Sequence, residues 1–161
     1  MKKNKKRGWC PTEVRPVEGV DGYLLRIIPK MGYLTSEDTI EFCNLSIKYG
    51  NGIIDLTNRG NLQMRGIEEK NISLIGRILT KKKISSYYRN LIITPFWKKD
   101  DINNIIYNKI KYSCNRLTKT PEKFSILIDA GAFPVLRNVS ADIRIEKSIT
   151  NKLVIFAEGY N

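Results

Sequence analysis

The chain has 161 residues, 42% of them hydrophobic, which is enough for one domain, or one domain and part of another, with a proper core. Lys and Arg number 28 against 16 Asp and Glu, a formal charge of +12 that raises nucleic acid, an anionic membrane surface and anionic small molecules as partners without choosing among them. Histidine is absent and the three cysteines, Cys10, Cys43 and Cys114, are scattered with no CxxC pair, which argues against structural zinc, Cys-His nucleophilic catalysis and a histidine general base.

No apolar run approaches the length of a membrane span and the N-terminus lacks an apolar h-region, so a cytoplasmic protein with reduced thiols is expected. The chain opens on a basic arm, Met1 to Arg7, and residues 1–20 form an irregular lead-in. After the turn signal Asp21-Gly22, Tyr23-Leu24-Leu25-Arg26-Ile27-Ile28 reads as a strand stopped by Pro29. Thr35-Ser36-Glu37-Asp38 then offers a hydroxyl to free amides at a helix start. Ile40, Cys43 and Ile47, with Phe42, Leu45 and Tyr49 beside them, give that helix a broad apolar side, and Gly50 stops it. On this pattern Cys43 is a core residue.

Ile53-Ile54-Asp55-Leu56 is a short strand, and the chain returns through Thr57-Asn58-Arg59-Gly60-Asn61-Leu62-Gln63-Met64-Arg65-Gly66. If residues from Arg59 onward are extended, Arg59, Asn61, Gln63 and Arg65 share one face and Leu62 and Met64 the other. No carboxylate sits on that row, so it reads either as a seat for an oxyanion or as a solvated strand face with nothing bound. Glu68 and Glu69 open a second helix carrying Ile72, Ile75 and Leu79, closed by Lys81-Lys82-Lys83 in accord with the helix dipole. Residues 21–84 thus predict strand, helix, strand, strand, helix: an α+β unit with an antiparallel sheet and packed helices.

Residues 90–161 begin a second, incomplete α+β unit. Asn90 to Ile93 is a strand, a helix runs from about Asp100 to Leu117 with Cys114 in its core stripe, and Phe124 to Asp129 is a strand. Asp142 to Glu146 alternates cleanly, and Leu153 to Ala157 is the last strand, after which the unit reads as cut short.

The stretch Asn51 to Gly66 resembles the ferredoxin-like half domain of the nitrite and sulfite reductases, and within that family the precorrin-3B synthase branch. Arg7-Gly8-Trp9-Cys10-Pro11, Asp21 to Arg26, Thr120-Pro121-Glu122-Lys123-Phe124 and Ala141-Asp142-Ile143-Arg144 support the resemblance in the family's order. It implies that Arg59 faces the tetrapyrrole and its bound oxyanion, that Gln63 and Arg65 contact the ring on the same strand face, and that Lys123 is the first lysine of the reductases' Lys-Phe-Lys segment. Ser125 stands at the second lysine, which weakens the cationic pocket that sulfite or nitrite reduction needs. The resemblance further implies a 4Fe-4S cluster and sirohaem or a precorrin as the family's cofactors and ligands.

Three scattered cysteines cannot supply a four-thiolate site, so this chain by itself is expected to hold no cluster and no metal and to lack redox activity. The expectation is the N-terminal portion of a precorrin-3B synthase-like oxidoreductase whose partners are a tetrapyrrole and a complementary C-terminal chain carrying the cluster cysteines. The other readings are a non-catalytic tetrapyrrole-binding module, or a degraded remnant acting as a basic interaction protein. Nucleic acid is not the expected partner, because the basic strands lack interleaved aromatics.

Overall fold

The computed structural model describes residues 10–84, 91–114, 121 and 124–157. The basic arm before Cys10, Tyr87-Tyr88-Arg89, the helix end beyond Cys114 with that cysteine's side chain, Lys123 and the last four residues lie outside the described residues.

Strands β1 (Val17–Glu18), β2 (Tyr23–Ile27), β3 (Ile54–Leu56) and β4 (Leu62–Ile67) form an antiparallel sheet in the order β1-β2-β4-β3. Helices α1 (Ser36–Tyr49) and α2 (Glu69–Lys82) cover one face of it. The period-2 pattern explains which face: Leu25 pairs with Met64 and Ile27 with Leu62, and Leu25, Ile27, Met64 and Ile67 pack on Phe42, Leu45, Ile75 and Leu79. The predicted α+β half domain is present, with β1 as a short edge strand in what reads as irregular sequence.

The cap of α1 forms as its sequence implies, Thr35 Oγ1 accepting from the Asp38 amide at 3.0 Å. Its buried face differs from the predicted stripe. Phe42, Leu45 and Ser46 face the sheet, while Ile40 is 60% and Ile47 71% exposed and Cys43 is half-buried. Phe42 and Leu45 pack with Leu25, Met64 and Ile67 of the sheet, and Ser46 turns inward with its hydroxyl donating to the Ile53 carbonyl at 3.3 Å.

The second unit comprises β5 (Leu91–Ile93), α3 (Ile102–Cys114), β6 (Ile126–Asp129), β7 (Ile143–Lys147) and β8 (Leu153–Ala157). Its sheet runs β5-β6-β7-β8, parallel across β5, β6 and β7 and antiparallel at β8. Asp101 starts α3, its carboxylate accepting from the amides of Asn104 at 2.7 Å and Lys98 at 2.9 Å. Burial pushes the Asp101 carboxyl up, but those amide bonds outweigh it and hold the group below its ordinary value.

The 3₁₀ turn Lys30–Gly32, between β2 and α1, reaches the second unit at β5. Met31, in the left-handed region at φ 56°, enters the second core beside Leu91, Ile93 and Tyr107, and its carbonyl accepts from Trp97 Nε1 at 2.9 Å.

Candidate functional site

The predicted arginine row begins too early. Strand β4 starts only at Leu62, and residues 57–61 close a hairpin: Thr57 N donates to Asn61 O at 2.8 Å, Gly60 N to Thr57 O at 2.9 Å, and Thr57 Oγ1 accepts from the Asn61 amide at 3.0 Å. Gly60 takes φ 69°, which a side chain would resist. Arg59 therefore sits exposed at the hairpin tip, off the strand row, and Asn61 is buried at its base.

Gln63 and Arg65 do share the sheet face away from the helices, where Arg26 and Asp55 stand opposite Gln63 on either side. Gln63 is 8% exposed; with its amide oxygen toward Arg26 it accepts from Nε at 2.9 Å and also from Nη2. Arg65 Nε donates to Asp55 Oδ2. That hydrogen bond, and then the charge of Asp55, raise the arginine pKa, so the guanidinium is cationic across the whole accessible range. The expectation of a row without a neutralising carboxylate is thus corrected: a one-strand reading cannot see Asp55, which comes from the neighbouring strand.

The alternation stops at a bulge. Between the pairs Tyr23 with Ile67 and Leu25 with Met64, the single residue Leu24 stands against Arg65 and Gly66. Gly66 has φ 70°, and a Cβ there would lie 2.7 Å from Asn51 Cβ. Only glycine fits there, next to Arg65 at the bulge.

A cleft of about 210 Å³ is lined by Asn58, Arg59, Gly60 and Asn61 of the hairpin, Ile28 and Pro29 after β2, Leu91 to Ile93 of β5, and Leu136 and Val139, and by none of Arg26, Asp55, Gln63 and Arg65. Arg59 has no ion-pair partner among the described residues. The cleft is smaller than the ~300–1,000 Å³ of pockets that enclose a small molecule, so it suits one anionic side arm rather than a whole macrocycle.

Lys123 lies outside the described residues. Ser125 is fully buried, its amide and hydroxyl held by Asp142 Oδ2 at 2.7 and 3.2 Å, so it serves the strand joint and offers nothing to a ligand. Sequence reading missed three charged residues near the site. Arg26 was legible, since alternation from Leu25 and Ile27 puts it on the arginine face. Asp129 and Arg144 were not: Asp129 Oδ2 accepts from the amides of Val135 and Leu136, both at 2.7 Å, while Arg144 donates to the carbonyls of Val139 and Leu136 and to Glu146. Asp129 Oδ1 is buried without a hydrogen-bond partner among the described residues.

The strand order and two helices of residues 21–84 define a recognised half domain. Residues 15–82 match the family model of the nitrite/sulfite reductase ferredoxin-like half domain. Over 149 residues it is 30% identical to a precorrin-3B synthase from Sinorhizobium sp, a match covering 88% of this chain and 32% of that relative. The chain therefore spans about a third of the relative's length. No helix among the described residues is long and apolar enough to cross a membrane.

Tested against the chemistry of its donors, a four-iron cluster does not fit this chain, which has three cysteines where four thiolates are needed. The Arg59 guanidinium, exposed beside the cleft, is a donor fork of the kind that matches a carboxylate geometrically.

Proposed function

We propose that this chain is the tetrapyrrole-binding portion of a precorrin-3B synthase-like oxidoreductase, in which Arg26, Gln63 and Arg65 form a polar wall and Arg59 at the cleft receives a peripheral carboxylate. The observation that carries the reading is Arg59: an exposed guanidinium without a counterion among the described residues, beside a small cleft with an apolar floor. In this reading the tetrapyrrole is the substrate. The chain's own part is to bind its carboxylates, orient the ring and keep water from the apolar floor of the cleft; the ring supplies the reacting carbon.

Asn61 and Lys123 belong to the same proposed site, Asn61 as a hydrogen-bonding group at the base of the hairpin. The second wall and the cluster thiolates come from a complementary polypeptide, and the whole works in the cytoplasm.

Titrating the purified protein with sirohaem, followed by its visible absorption, tests the reading. Arg59→Ala is expected to weaken binding about tenfold or more, the worth of one charge-assisted hydrogen bond. No spectral change with the parent protein would sink it.

A further inference from the structure

We infer that Asp129 and Arg144 are positioning residues of the cleft, clamping residues 135–139, the wall that faces Arg59. The inference rests on the reading of the cleft as the anionic site. Strands β6 and β7 are parallel neighbours, with Leu127 opposite Arg144 and Asp129 opposite Glu146, so the two charged side chains rise from adjacent strands toward one loop. Asp129 is 0% and Arg144 7% exposed.

They use opposite chemistry on that loop. The carboxylate of Asp129 accepts the amides of Val135 and Leu136 at 2.7 Å each. The Arg144 guanidinium donates from Nη1 to Val139 O at 2.5 Å and from Nη2 to Leu136 O at 3.0 Å, and Glu146 Oε1 accepts from its Nε at 2.9 Å. Leu136 is thus held at both its amide and its carbonyl, and Leu136 and Val139 are the loop residues that line the cleft.

Apart from one turn bond within it, from Val139 N to Leu136 O at 3.0 Å, the loop has little else to hold it among the described residues. Val135, Arg137 and Asn138 are exposed, and Leu136 and Val139 only half-buried, so packing does not set its course. Two buried charges are costly to keep if they only stabilise a sheet. Directed at one loop, they set the distance between the apolar wall and the arginine across from it, which is the preorganisation a small anion seat requires.

The test compares the full chain with Arg144→Lys, which keeps the charge but replaces a fork with three acceptors in reach by a single ammonium. Hydrogen exchange is followed at the amides of Val135, Leu136 and Val139 and across β6 and β7, together with sirohaem affinity and the thermal midpoint. The expected result is a rise in exchange of about tenfold or more confined to residues 135–139, and a fall in sirohaem affinity of similar size, with β6 and β7 still protected. Asp129→Ala is expected to loosen the same amides, and Asp129→Asn, whose carbonyl oxygen still accepts, to restore their protection.

Unchanged exchange at 135–139 in Arg144→Lys and Asp129→Ala would overturn the clamp. A loosened loop with parental sirohaem affinity would overturn its positioning role. Should Arg144→Lys raise exchange throughout the fold, the contrast between Asp129→Asn and Asp129→Ala decides. A parent protein that binds no sirohaem would remove the proposed function, while the exchange measurements, which use no ligand, still decide whether the clamp fixes the wall.

Discussion

Arg59 and Arg65 look equivalent along the chain and are not equivalent in the fold. Arg65 already has a partner in Asp55, half-exposed beside it, whereas Arg59, at the hairpin tip, has no ion-pair partner among the described residues. An anion must compete with Asp55 for one guanidinium and meets no competitor at the other. Arg59→Ala is therefore expected to cost more sirohaem affinity than Arg65→Ala, and Asp55→Asn to raise affinity by releasing Arg65, all read from titrations at one ionic strength because exposed charges are screened. Equal losses at the two arginines would contradict this ranking. At Gly66 the constraint is steric: alanine there meets Asn51 at φ 70°, and Gly66→Ala should lower unfolding free energy by ~1–3 kcal/mol in urea titrations. Gln63 and Arg65 were legible as one face of β4 because side chains alternate with a period of two, and Arg26, although missed, carried the same signal on β2. Asp129 and Arg144 bond to a loop, and a loop has no period from which its contacts can be read.

Among the elements, α1 shows how a helix with apolar residues on several sides is rotated by its surroundings. Phe42→Ala should cost ~3–5 kcal/mol, while Ile47→Ser should stay within ~0.5 kcal/mol, because Phe42 is buried against the sheet and Ile47 is not. Urea unfolding of the two variants separates the observed face from the one predicted. For α3 the start is set by Asp101, whose carboxyl is held below its ordinary value of 3.8 by the amides it accepts. A carboxyl with a depressed folded pKa contributes stability that is present above the ordinary value and lost as pH falls through the folded one. Asp101→Asn keeps an acceptor without that titration, so the gap between parent and variant is expected to shrink from about pH 7 to about pH 3 in paired unfolding curves. A gap that widens on acidification would contradict the cap.

At the scale of the whole molecule, the two sheets are tied through Met31, which places a first-unit side chain in the second unit's core. Met31→Ala keeps the same backbone strain and removes only the packing, so a loss of ~2–3 kcal/mol in unfolding free energy is expected. The far edge of the second sheet is different. Strand β8 carries no charge, and Ile155 is 70% exposed, the composition of an edge that self-associates. Ile155→Lys is expected to leave stability within ~0.5 kcal/mol and to reduce aggregation measured by light scattering.

The half-domain elements, the cap of α1, the charged ends of α2 and the polar face of β4 could be read from the amino acids alone, because each depends on neighbours within a few residues. A period of two, a hydroxyl before an acidic turn and a lysine run at a helix end are local signals. The parallel pairing of β5, β6 and β7, the Asp55 counterion of Arg65 and the cleft that brings Arg59 to Leu136 and Val139 were not readable that way. Each joins residues far apart in the chain, and which distant groups meet is set by the packing of sheets and helices on one another, for which a single strand's pattern carries no information.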